Sequence, residues 1–192
     1  MQITSLFFFG VINFMHWCQI DESYLNFLRE YESRIPYMDY GGNHYKPFFH
    51  SLFTLENGLE YVAQLNHAQK RHKRMRDMPD FKRIFIPVRR KNGNVIKHLA
   101  AVINLNYMFP VPSNCIQNVT AENIEDVRTF KDDVSKSKYI NLLAKELKVI
   151  DAKNLEKDAK KLYDLKCNYP DYFISKRCFD YKELETLAQR FN

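Results

Sequence analysis

The stretch FKRIFIPVRRKNGNVIKHLAAVINL, residues 81–105, constrains the fold more than any other part of the chain. Two runs rich in β-branched and aromatic residues flank the turn KNGN, which is the signature of an antiparallel hairpin. An earlier hairpin signal is similar. PFFHSLFTL and LEYVAQL flank Glu56-Asn57-Gly58, and an Asn-Gly pair tolerates positive φ. Residues 12–20 read as a further strand. Asp21 can cap a helix over 22–33 that puts Tyr24, Leu25, Leu28 and Tyr31 on one face, and Pro36 ends it. NYMFPVPSN reads as an extended crossing pinned by its prolines. Beyond it the apolar period changes to that of helices. SKYINLLAKELKVI carries Tyr139, Ile140, Leu143 and Leu147 on one face, and AKNLEKDAKKLYDLK carries Leu155, Ala159, Leu162 and Tyr163. YKELETLAQRF closes the chain. Strand, helix, two hairpins, then helices is the order of an α+β domain: a strongly bent antiparallel sheet with helices packed on it, mostly C-terminal. The length, 192 residues, suits one domain.

Charge is concentrated in one place. From His67 to Lys97 there are eleven Lys/Arg against Asp77 and Asp80. That window is +9 in a chain whose total is +6, so the rest sums to −3. A local basic patch of this kind concentrates a polyanion, most commonly nucleic acid. Cys18, Cys115, Cys167 and Cys178 lack CxxC spacing and read as mostly buried free thiols of a cytoplasmic protein. The six histidines form no HExxH or HxH pattern, and no paired acidic motif suggests a metal. No cofactor is expected. The N-terminal run LFFFGVINFM is too short and too interrupted to span a bilayer, and it lacks the flanks of a signal peptide.

The segment QLNHAQKRHKRMR, residues 64–76, holds the chemistry-bearing residues. Cutting RNA without a metal requires the 2′-OH to lose a proton and the 5′-oxygen to gain one. Charge on the phosphorane must also be stabilised. Histidine suits either proton role, and lysine or arginine suits the charge role. The loop after LEYVAQL offers Asn66, His67, Lys70 and His72. The loop before PFFHSLF offers Tyr40, His44, Tyr45 and Lys46. If the first hairpin is real, both loops gather at the end opposite its Asn-Gly turn. Arg71, Lys73, Arg74, Lys82 and Arg83 extend the set with phosphate-binding cations, and His72, Tyr40 and Tyr45 with further RNA contacts. Each residue also has an ordinary role. Lys70 can position a phosphate, His67 can be a surface histidine, His50 and His98 sit within strands, and Tyr24 can be a core tyrosine.

INLNYMFPVP, residues 103–112, resembles the strand and proline-pinned crossing of the ToxN/AbiQ family, the toxins of type III toxin–antitoxin systems. The resemblance spreads along residues 15 to 191. YLNFLREYESRIP is similar to the family's first helix, Lys46 with PFFHSLF to its lysine and first hairpin, and LEYVAQL to its next strand. SKYINLLAKELKVI, EKDAKKLYDLK and RCFDYKELETLAQRF are similar to its helical C-terminal part. The resemblance implies a metal-independent endoribonuclease with a bent MazF/Kid-like barrel core. Such enzymes leave 2′,3′-cyclic phosphate and 5′-hydroxyl ends. It implies as partners a repetitive, pseudoknotted RNA antitoxin in a ring-like hetero-oligomer and cellular or phage RNA, with a role in abortive infection. Neither DNA nor a membrane is expected as a partner.

The resemblance also implies site residues. Tyr24 and Lys46 match a family tyrosine and lysine, and Tyr45 or Tyr40 matches a second tyrosine. The family's Thr/Ser-Ser-Pro-Lys loop is altered. Asn66-His67 replaces the two hydroxyl residues, Ala68 replaces proline, and Lys70 falls one position late. The catalytic set expected is therefore Lys70, His67, Lys46, Tyr24 and Asn66. In the family the first-helix tyrosine follows closely on the initiating methionine, and Met15 precedes Tyr24 by nine residues. Residues 1–14 are accordingly expected to be a non-native or dispensable extension of a single domain, 15–192. Two other functions remain open beside an RNA-cutting toxin. One is an RNA-binding homologue that has lost cleavage. The other is a domain whose basic face binds an acidic protein.

Overall fold

The computed structural model describes residues 17–38, 48–49 and 51–191, which form nine strands and five helices in the order strand, helix, eight strands, four helices. Strand β1 (Trp17–Ile20) enters helix α1 (Glu22–Arg29), whose first turn is capped by Asp21 accepting from the Ser23 amide at 2.8 Å. The short strands β2 (Phe48–Phe49) and β3 (Phe53–Thr54) precede β4 (Leu59–Val62) and β5 (Leu65–His67). The long hairpin β6 (Phe81–Arg89) and β7 (Val95–Asn104) follows, then β8 (Phe109–Pro112) and β9 (Ile116–Asn118). Helices α2 (Ile124–Val127), α3 (Asp133–Asp151), α4 (Leu155–Asn168) and α5 (Tyr181–Arg190) complete the chain.

All strand pairs are antiparallel, in three ladders: β2-β1-β9, β3-β4-β8 and β5-β7-β6. The last two are one ribbon turned through a corner. Val62 opposes Phe109, and Leu65 opposes Ile103. Between these pairs both partners break, one at residues 63–64 and the other at 105–108. The corner satisfies its own backbone. Leu105 and Asn106 amides donate to Asp80 O at 2.9 and 3.4 Å, and the Met108 amide to Leu105 O at 3.0 Å. This is the strong bend expected of the sheet, and the ladders do not close into a barrel among the described residues.

The core lies between the concave face of this ribbon and the C-terminal helices. Tyr24, Tyr61, Tyr181, Phe109 and Phe179 are fully buried in it. Their hydroxyls are satisfied: Tyr24 donates to Pro110 O at 2.6 Å, Tyr61 to Glu185 Oε1 at 2.9 Å, and Tyr181 to Leu105 O at 3.3 Å. Tyr163 of α4 donates to the same Glu185 oxygen at 2.7 Å, and Lys182 holds its other oxygen at 3.0 Å. Cys18, Cys115 and Cys178 are buried free thiols, and Cys167 is half-buried.

Three local expectations change. Helix α1 stops at Arg29 rather than 33, because Arg29 folds back onto Glu22 and onto Pro36 O, and the chain turns so that Ile35 can bury. Tyr31 consequently stands 58% exposed. The first hairpin is shorter than its sequence suggests. Only β3 pairs with β4, around Gly58 at φ +82°, while β2 pairs with β1. Ser51, at φ +56°, marks the change of direction between them. The sequence pattern also did not signal β9 and α2.

Candidate functional site

Strand β5 ends in Asn66 and His67, opposite Val102 and Ala101 of β7. The Ala68 amide extends the ladder to Ala100 O at 3.1 Å, and a 3-10 turn over Lys70–Arg74 then lifts the chain off the sheet. His72 organises that turn. Its Nδ1 accepts from the Gln69 amide at 3.0 Å, its own amide donates to Gln69 O at 3.0 Å, and its ring lies 5.8 Å from the Phe81 ring. Burial, and then the Arg71 guanidinium beside the ring, push its pKa below the ordinary histidine value. His72 is thus a buried, neutral brace, where the sequence pattern suggests an RNA contact. With this side chain turned inward, Lys70, Arg71, Lys73 and Arg74 stand exposed on the outside of the turn.

Next to β5 a cleft of about 300 Å³ separates the 33–37 segment from the ribbon corner. Asn66 and Gln64 line it from β4–β5, Asn104 and Tyr107 from the corner, and Arg34 and Tyr37 from the other wall. Gln64 Nε2 donates to Tyr37 O at 2.7 Å, which fixes that wall to the sheet. The Arg29 guanidinium lies 4.0 Å over the Tyr37 ring. Arg34 lies 5.0 Å over Phe179 and 5.7 Å over Tyr107. Arg34 is also paired with Glu32, at 2.6 and 2.8 Å. Carboxamides, exposed phenol rings and a planar guanidinium in one cleft can read base edges and stack on base faces.

The basic segment divides. Lys82 is tied to Asp158 at 2.6 Å and Arg83 to Asp77 at 3.0 Å, so these two cations brace the fold where phosphate contacts were expected. Lys70, Lys73, Arg74, Arg76, Arg89, Arg90, Lys91 and Lys97 are exposed and have no acidic partner among the described residues. They lie on the 3-10 turn and towards the tip of the β6–β7 hairpin.

Of the expected catalytic residues, the structure brings Asn66, His67 and Lys70 to one strand end. Asn66 lines the cleft, and His67 and Lys70 are exposed beside it in the chain. Tyr24 lies elsewhere, 0% exposed in the core, with its hydroxyl engaged and its pKa raised by desolvation. Lys46, Tyr45 and Tyr40 lie outside the described residues, as do His44, His50 and residues 1–14. Arg34, Tyr37, Gln64, Asn104 and Tyr107 were not singled out from sequence. A polar Gln64 inside the apolar run LEYVAQL was the available signal. Among the described residues no three His, Cys, Asp or Glu side chains group as metal ligands would, and no helix is long and apolar enough to cross a membrane.

Comparison with known proteins gives one family. Residues 16–189 match the model of the ToxN toxin of type III toxin–antitoxin systems. Three solved structures share the fold. One is from a bacterial type III system in which a non-coding RNA pseudoknot selectively inhibits the toxin. It is 20% identical, covers 92% of this chain and 97% of that one, and has a TM-score of 0.67. The second is AbiQ, a lactococcal anti-phage endoribonuclease of a type III system, at 18% identity, 92% and 97% coverage and a TM-score of 0.71. The third is from a bacterial antiviral system regulated by a processed non-coding RNA, at 18% identity, 93% and 99% coverage and a TM-score of 0.70. No curated protein sequence matches the chain significantly.

Proposed function

The chain belongs to the ToxN family of type III toxin–antitoxin toxins, and from that membership we propose that it is a cytoplasmic endoribonuclease acting in defence against phage. It cuts RNA by attack of a 2′-OH on the adjacent phosphate, needs no metal, and leaves 2′,3′-cyclic phosphate and 5′-hydroxyl ends. A repetitive pseudoknot RNA, processed by the toxin itself, inhibits it in a ring-like assembly. The observation that carries this reading is Asn66 lining a cleft of amide, aromatic and arginine side chains at the end of β5, with His67 and Lys70 exposed next to it in the chain.

In this reading the His67 imidazole exchanges the proton of the 2′-OH or of the 5′-oxygen. The Lys70 ammonium stabilises charge on the phosphorane. Asn66 orients the nucleotide from the cleft floor. Lys46, with Tyr45 or Tyr40, completes the set. Tyr24 acts from a distance by fixing α1 to β8 through Pro110 O. The free cations of the 3-10 turn and hairpin tip hold the phosphates of the antitoxin. Residues 1–14 lie outside the working domain, so a chain beginning at Met15 folds and acts as the full one does.

The test is incubation with RNA in excess EDTA, followed by mapping of the product ends. Cyclic-phosphate ends are expected, with the rate lowered about 10²-fold or more in His67→Ala and Lys70→Ala. Salt-sensitive binding with no cleavage at any dose would instead make the chain an RNA-holding homologue and sink the catalytic assignment.

A further inference from the structure

Tyr107, which lines the cleft, also packs against Phe179 at 5.1 Å between ring centroids, under the Arg34 guanidinium. This joins the cleft to the segment between α4 and α5. Asn106 clips the two together: its Nδ2 donates to Arg177 O at 3.1 Å, and its carbonyl accepts from the Phe179 amide at 3.1 Å. Beyond the clip, the Arg177 guanidinium is anchored to buried Asp80 at 2.9 Å and lies 5.9 Å over the Phe173 ring. Phe173 in turn packs on Tyr172 at 4.7 Å.

These rings face water. Tyr37 is 50% exposed, Tyr107 36%, Phe173 59% and Tyr172 46%, whereas Tyr24, Tyr61, Phe109, Phe179 and Tyr181 are completely buried. Tyr172 and Phe173 are in contact, Arg177 lies on Phe173 and Arg34 on Tyr107; exposed rings that carry planar guanidinium groups are a poor surface for water and a good one for an unpaired nucleic-acid strand. Bases stack on the rings and on the planar guanidinium groups, whose charge is met by Glu32 at 2.6 Å for Arg34 and by Asp80 at 2.9 Å for Arg177. A duplex hides its base faces and cannot use such a surface.

We propose that Tyr37, Arg34, Tyr107, Arg177, Phe173 and Tyr172 form a track for single-stranded RNA, its two parts joined through Asn106 and buried Phe179, running from the cleft onto the α4–α5 segment and binding the nucleotides that flank the cut. It rests on the reading that the cleft takes RNA. The track works mainly by stacking, so it tolerates sequence and responds to strand length.

The test uses the full chain with 2′-O-methyl oligoribonucleotides of four and ten residues, which cannot undergo 2′-OH attack, read by fluorescence anisotropy. The ten-mer should bind tighter than the four-mer. The Tyr172→Ala/Phe173→Ala double variant should weaken the ten-mer by about tenfold or more and bring the two affinities together. Phe173→Tyr, which keeps a stacking face, should retain ten-mer binding. The track is refuted if the double variant binds the ten-mer within twofold of the unmodified chain, or if a ten-base-pair duplex competes as well as the single strand. A variant that alters only self-association in sedimentation also refutes it and marks a protein interface. Cleavage of a long RNA by the unmodified chain is measured alongside. If it cleaves while the double variant binds normally, the track falls and the RNA-cutting reading stands. If it neither cleaves nor binds, that reading falls and the track with it.

Discussion

Replacing His72 separates a brace from an RNA contact. In His72→Ala the Gln69 amide loses its acceptor, and the ring packed near Phe81 is removed. The hydrogen bond contributes about 1 kcal/mol and the buried ring about 1–2 kcal/mol, so the loss at pH 8 is about 2–3 kcal/mol. His72→Phe keeps a ring and loses only the acceptor, at a cost of about 1 kcal/mol before any misfit. The pH dependence has a definite sign. The folded pKa lies below the unfolded one, so the neutral ring's contribution is fully present above about pH 6.5 and is lost as pH falls through the folded value. Protonation puts a hydrogen on Nδ1, where the Gln69 amide needs a lone pair. Urea denaturation of wild type and both variants, followed by circular dichroism at pH 8 and pH 5, measures this. The gap between wild type and His72→Ala should narrow at pH 5. A gap that stays constant or widens on acidification would show that His72 does not work as a neutral brace. Loss of RNA affinity in His72→Phe with unchanged stability would return it to the RNA surface.

Three further outcomes are expected. Glu146 of α3 is buried, and desolvation pushes its pKa up to about 7 from an ordinary 4.5, so wild-type stability falls as pH rises between these values. Glu146→Gln does not titrate there, and its stability advantage should therefore grow by about 3 kcal/mol from pH 4 to pH 8 in calorimetry. Tyr24→Phe should lower stability by about 1–2 kcal/mol by leaving Pro110 O without its donor. A large loss of cleavage without that loss of stability would place Tyr24 in the chemistry after all. Glu185→Ala should cost about 3 kcal/mol or more, because the Tyr61 and Tyr163 hydroxyls both lose their acceptor in a largely buried network. Chemical denaturation checks it, and a cost under about 1 kcal/mol would contradict the network's role.

Where the sequence carried strong short-range signals, it placed the elements to within a residue or two. Asn92-Gly93 and its flanking runs became β6 and β7 almost as written, with Gly93 at φ +83°. Leu155, Ala159 and Leu162 all bury along α4. Periodicity fails where the chain changes partners. PFFHSLFTL looks like one strand, yet β2 joins β1 while β3 joins β4, a choice made by contacts far along the chain. The candidate site was legible in part for the same reason. Asn66, His67 and Lys70 lie close together in the sequence and are chemically conspicuous. Arg34, Tyr37, Asn104 and Tyr107 are ordinary residues that converge only because the ribbon turns its corner at residues 63–64 and 105–108. Charge counting misled in one respect: it credits Lys82 and Arg83 to a surface, and their carboxylate partners, Asp158 and Asp77, are visible only in three dimensions.

That division of the basic segment bears on what the protein holds. With Lys82 and Arg83 engaged internally, the free cations lie on the 3-10 turn and the hairpin tip, regions of phosphate-binding character with few exposed rings. Exposed aromatics lie instead along the cleft and the α4–α5 segment, with arginines packed on them whose charge is met by Glu32 and Asp80. Phosphates of a folded RNA present charge with their bases turned inward, whereas an unpaired strand presents base faces. Under the proposed function the two surfaces would therefore suit two forms of RNA, a folded inhibitor on the basic turn and tip, and an unpaired substrate strand in the cleft and along the rings. His67 and Lys70 sit at the start of the basic turn and next to cleft-lining Asn66, so a folded inhibitor gripped by the turn would stand over the position at which an unpaired strand must enter to be cut.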